Sequence, residues 1–72
     1  MDFLEQVADE LASDVLEAIE NGADEDLIMG VKKIAGETST TLEEAYMTAV
    51  RVRRAERRAR AYLARFLAQG GG

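Results

Sequence analysis

Seven arginines lie between Arg51 and Arg65, and they are the feature of this chain best equipped for chemistry. A guanidinium group is permanently charged and presents a planar fork of donors. Its chemistry is recognition of phosphate or carboxylate, not proton transfer. Arg53, Arg54, Arg57, Arg58 and Arg60 form the densest group. Interleaved with alanines on a rigid helix, they could line one groove of a nucleic acid and neutralise several phosphates. They could equally meet an acidic partner surface. No aromatic stacking platform accompanies them, since Phe3, Tyr46, Tyr62 and Phe66 are the only aromatic residues.

The carboxylates are the second candidate set. Thirteen of the fourteen acids lie in residues 1–44, opposed only by Lys32 and Lys33, for a local charge of −11. Residues 45–72 hold all seven arginines and one acid, Glu56, for +6. The net −5 is the remainder of two opposite halves. The acidic half repels phosphate over about 8–10 Å at physiological salt. It also offers the arginines a partner within the chain or between chains. Internal or interchain pairing, with the helices antiparallel, is therefore the expected use of both faces. Exposed pairs of this kind contribute little each and act mainly on register and orientation.

Most catalytic chemistry is excluded by composition. The chain has no His and no Cys, and its only serines are Ser13 and Ser39. Zinc sites, thiol nucleophiles and imidazole bases are therefore absent, as is a Gly-rich phosphate loop. Glu43 and Glu44 are neighbours on a helix turn and do not converge on a pocket. Asp24-Glu25-Asp26 lacks the spacing of a calcium loop and reads as a helix start. No enzyme activity, cofactor, metal or small-molecule substrate is expected.

Three helices must position these groups. The first, about residues 2–20, repeats Phe3, Leu4, Val7, Ala8, Leu11, Val15, Ala18 and Ile19 at three- and four-residue steps. Asn21-Gly22 stops it. The second, about residues 24–35, starts at an Asp24 cap, buries Leu27, Ile28, Val31, Ile34 and Ala35, and ends at Gly36. Gly30 in its middle could admit a close helix neighbour. The third, about residues 41–69, opens with capping boxes from Thr40 and Thr41 to Glu43 and Glu44. Its stripe is Leu42, Ala45, Ala49, Val52, Ala55, Ala59, Tyr62, Leu63 and Phe66, and Glu56 can pair with Arg53 and Arg60. Met29 and Met47 read as packing residues. Gly70-Gly71-Gly72 caps the helix and trails off as a flexible tail.

The expected fold is all-α: a single domain over residues 1–69, built as a small three-helix bundle. Two shorter helices pack on one long C-terminal helix, which dimerises. The long helix is about 42 Å, the others about 28 Å and 18 Å, at about 1.5 Å per residue. Either the short helices tile along the long one, or two chains pair their long helices. Dimerisation is preferred, because a core this small lacks disulfide or metal staples and gains from a second copy. Tyr62, Leu63, Phe66 and Leu67, with the small Ala55 and Ala59, are the candidate protein interface.

No stretch approaches eighteen apolar residues, and Met-Asp-Phe-Leu-Glu has no basic region before an apolar run. A cytoplasmic protein with no membrane span is expected. A helix-turn-helix spacing near Val31, Ala35-Gly36, Ser39 and Leu42 is spoiled by Lys32, by Glu37 and by the acids opening the reading helix. The expected function is a non-enzymatic protein–protein interaction module, such as an adaptor, chaperone or assembly factor, and homo-oligomeric. The alternative is a nucleic-acid-binding regulator that uses the arginine helix.

Overall fold

The side chains that begin and end each helix set the architecture. In the computed structural model, which describes residues 1–70, the elements are α1 (Phe3–Glu20), α2 (Asp26–Thr38) and α3 (Thr40–Ala68). All three are helical, they pack together, and no strand occurs among the described residues. Gly71 and Gly72 of the expected tail lie outside those residues.

Asp2 caps α1 by accepting the Glu5 N–H at 2.8 Å. The helix closes in a Schellman turn: Ala23 N–H bonds Ala18 O and Gly22 N–H bonds Ile19 O, both at 3.0 Å. Gly22 has φ +110°, a conformation that a Cβ would oppose. Asp24 does not begin α2 directly. Its carboxylate accepts the Asp26 N–H at 2.7 Å, and the helix opens at Asp26.

Gly36 does not end α2, contrary to the sequence expectation. The helix passes through it to Thr38, and Ser39 makes the break with extended dihedrals of φ −154° and ψ 102°. Ser39 also caps α3, its hydroxyl accepting the Leu42 N–H at 3.0 Å. The cap is therefore Ser39 rather than Thr40 or Thr41, and N3 is Leu42, not a glutamate. Glu43 is instead drawn across to Lys32 at 3.1 Å. Gly36 serves this approach, since a Cβ there would stand 2.7 Å from the Glu43 carboxylate. With a single residue between α2 and α3, the longer turn of a helix-turn-helix is missing.

α3 is the spine. Two reversals make α1 and α3 co-directional and α2 antiparallel to both. The cross-helix pairs follow this: Asp9 with Arg53 and Glu20 with Arg57 ascend together, while Glu25 with Arg54 and Lys32 with Glu43 run oppositely. The expected antiparallel contact between the acidic and arginine helices is thus a parallel one. α1 packs most extensively on α3, and α1 and α2 touch each other least.

The core centres on Tyr46, whose side chain is fully buried among Ala8, Ala12, Val15, Leu16, Ile28 and Val50. Its hydroxyl donates to the Ile28 carbonyl at 3.0 Å, satisfying the one polar atom the site buries. That bond ties α2 to α3 at mid-height. Four sequence expectations fail around this core. Phe3 and Ile34 are exposed, at 80% and 65%, and Met29 also faces out. Gly30 faces open space and admits no helix. Each lies at the rim of a helix face that two neighbours are too few to cover.

Stability changes should follow these contacts in urea denaturation. Ser39→Ala should cost about 1 kcal/mol through the lost cap. Tyr46→Phe should cost about 1 kcal/mol through its hydrogen bond. Gly30→Ala should stabilise by about 1 kcal/mol, because a methyl group meets nothing there.

Candidate functional site

The arginine face is mostly occupied by the chain's own carboxylates. Arg53 grips Asp9 through two nitrogens, Nε to Oδ1 at 2.8 Å and Nη2 to Oδ2 at 2.7 Å. Its remaining nitrogen reaches Glu56 at 3.1 Å, and Glu56 also accepts from Arg60 at 3.0 Å. Arg54 pairs with Glu25 and Arg57 with Glu20. Of the five arginines singled out from the sequence, only Arg58 has no carboxylate partner among the described residues. Arg51 and Arg65 also have none there.

The geometry makes Asp9–Arg53 the strongest of these contacts, because a bidentate fork fixes both groups. The hydrogen bond from Arg53 holds the Asp9 carboxyl below its ordinary value near 3.8. Glu56 is likewise held below 4.5, first by Arg60 and then by Arg53. Tyr46 moves the other way, because burial disfavours its phenolate. Both carboxylates titrate lower folded than unfolded. Their stabilising effect is present above their ordinary values and is lost as pH falls through the lowered ones.

The other surface feature is apolar. Beyond Glu56 every described residue of α3 is exposed, so about twelve residues stand clear of the three-helix body. The radius of gyration, 14.6 Å, exceeds the roughly 11 Å of a compact domain this long. This arm carries Tyr62, Leu63, Phe66 and Leu67, exposed at 67%, 50%, 41% and 62%. Ala55 and Ala59 are exposed with them, and so is Val52 at 60%. Five of the six interface candidates lie on this protruding segment, and Ala55 is exposed just before it.

The stripe read from the sequence as one face is in fact two. Tyr46 and Val50, which it omitted, point into the body. Val52, Ala55, Ala59, Tyr62 and Phe66 centre about 180° around the helix from them, at about 100° per residue. They face away from α1 and α2. Their signal was available as spacing. Ala45, Thr48, Val52, Ala55, Ala59, Tyr62, Phe66 and Gln69 alternate steps of three and four, the pattern of heptad positions a and d. In that frame Arg51, Arg58 and Arg65 all take position g. The arginines lacking a carboxylate partner among the described residues are therefore those that flank the apolar seam.

Two concavities adjoin these surfaces. One lies beside the seam between α1 and α3, lined by Met1, Glu5, Asp9, Ala45, Thr48 and Val52. The other is an apolar groove beside α2, lined by Leu11, Leu27, Val31, Ile34 and Leu42. Neither gathers the convergent polar groups of a reactive pocket. Among the described residues, no cluster of three metal-ligating side chains occurs and no helix is long and apolar enough to cross a membrane. Comparison with protein-family models, curated proteins and solved structures returned no match.

Asp9→Asn should flatten the acid side of the stability profile. Denaturation followed from pH 6 to pH 3 should show wild type losing stability as Asp9 and Glu56 protonate. The variant should start less stable and lose less over the same window. Equal losses would mean that the Arg53 fork does not stabilise the fold.

Proposed function

We propose that this chain is a non-enzymatic helical interaction module that works by presenting the α3 arm to other chains. The observation that carries this is the arm's apolar seam, which its own α1 and α2 cannot reach. Exposed apolar surface of this continuity costs free energy in water and marks a contact site. The first occupant is a second copy, so the working form is a homodimer. A larger assembly joins through the remaining surfaces, in the manner of an adaptor, chaperone or assembly factor acting in the cytoplasm.

The pairing of Arg53, Arg54, Arg57 and Arg60 with carboxylates supports a protein contact over a nucleic-acid one. A phosphate backbone would have to displace those partners and approach an acidic body. What remains for an anion is Arg51, Arg58 and Arg65, spread along one edge.

Equilibrium sedimentation tests the dimer directly. At high micromolar concentration the mass should be about twice 7.9 kDa, and Phe66→Asp should return it to the monomer with helicity retained. A monomeric wild type would sink the proposal. Titration with generic DNA and RNA at 50 mM salt addresses the alternative. Binding that weakens steeply as salt rises would favour a phosphate contact instead.

A further inference from the structure

We infer that two copies pair their arms antiparallel, in a register that sets each large seam residue of one copy against a small or polar one of the other. This rests on dimerisation through the arm and specifies its geometry. In an antiparallel pair, position a of one helix meets position d of the other. If residue n faces residue 121 − n, Ala59 meets Tyr62 of the second copy and Ala55 meets Phe66. Val52 meets Gln69, and the three contacts repeat by symmetry. Each of the four central layers then combines one aromatic side chain with an alanine, and the two outer layers pair Val52 with Gln69, so the helices keep a nearly constant separation.

The alternatives pack less evenly. A parallel, in-register pair stacks alanine on alanine at residues 55 and 59, then aromatic on aromatic at residues 62 and 66. Helix separations range over about 8–10 Å with the side chains at the contact, and a straight pair cannot take both extremes within three turns. Sliding the antiparallel pair by one heptad, so that n faces 114 − n, puts Ala55 on Ala59 at the centre and Tyr62 on Val52 beside it. That layering is again uneven.

Charge points the same way. Parallel pairing would set two strongly acidic bodies side by side. Antiparallel pairing puts them at opposite ends, each next to the basic arm of the other copy. The arm tip then ends beside Val52, at the edge of the cleft that Met1 and Ala45 line. The cost is on one edge, where Arg58 faces Arg65 of the second copy. Both are exposed, so water and salt screen the repulsion.

The apolar groove beside α2 is the competing site. Its rim residue Ile34 is 65% exposed, so Ile34→Glu probes it without disturbing the core. The absence of cysteine makes site-specific labelling clean. Thr41, exposed at the start of α3 and beyond the residues that the inferred register pairs, takes a nitroxide as Thr41→Cys. In the inferred register the two labels are 39 residues apart along the pair, about 58 Å at about 1.5 Å per residue. The 114 register gives about 48 Å and a parallel pair less than about 20 Å on the same rise.

Pulsed electron resonance should therefore return the longest distance. Arg65→Glu should tighten the dimer several-fold by turning two like-charge contacts into ion pairs, and Ile34→Glu should leave the mass unchanged. A dimer with a short or 48 Å distance would overturn the orientation or register while leaving arm dimerisation intact. Loss of the dimer on Ile34→Glu together with its survival in Phe66→Asp would move the contact to the α2 groove and overturn arm dimerisation as well. A wild-type chain that stays monomeric would defeat the parent proposal instead.

Discussion

α3 is longer than anything this chain can lay against it, and the other features follow from that mismatch. Its 29 residues run about 43 Å, while the core it shares with α1 and α2 ends at Val50. Below that point one face of the helix is buried by Ala8, Ala12, Val15, Leu16 and Ile28 around Tyr46. Above it the helix must hold its shape without a hydrophobic partner in its own chain. Alanine-rich sequence with good helix formers and no proline lets it do so. Glu56 braces the transition, bonded at once to Arg53 and Arg60.

The charge segregation of the sequence acquires a definite meaning in this frame. The acidic helix and the arginine helix run side by side, and their pairs lock the spine to the other elements at different heights. Asp9 and Glu20 reach it from α1, Glu25 from the start of α2, and Lys32 from α2 to Glu43. The Asp9–Arg53 and Lys32–Glu43 pairs are half-buried, while the Glu20 and Glu25 pairs are exposed and weak alone. Together they bridge the three helices at several heights alongside the shared core. A charge imbalance that would suggest an external anionic partner is consumed largely within the fold.

Some apolar surface stays uncovered at Phe3, Met29 and Ile34, but the longest continuous part lies on α3. On α3 it consists of an apolar seam on the face opposite the body and three arginines that flank one side of it. The two features share a heptad frame, which is why the proposed contact treats them as one surface. The small residues Ala55 and Ala59 lie between the bulky residues at either end, so the seam is uneven by itself, and the proposed antiparallel copy would level it.

Much of the architecture was legible from residue types alone. Helix number and class follow from three- and four-residue periodicity, and the stop at Gly22 follows from the left-handed turn it makes. The Glu56 pairs follow from three- and four-residue offsets on one helix. These are local consequences, decided by neighbours in the chain. The tertiary structure alone decided that Tyr46 and Val50 are the core of α3, because a stripe that repeats every seven residues slips around a helix with 3.6 residues per turn. It alone decided that Gly36 admits Glu43 instead of ending α2, and that Arg53 takes Asp9, 44 residues away. Those outcomes depend on which helix faces lie together in space, and no local rule contains that information.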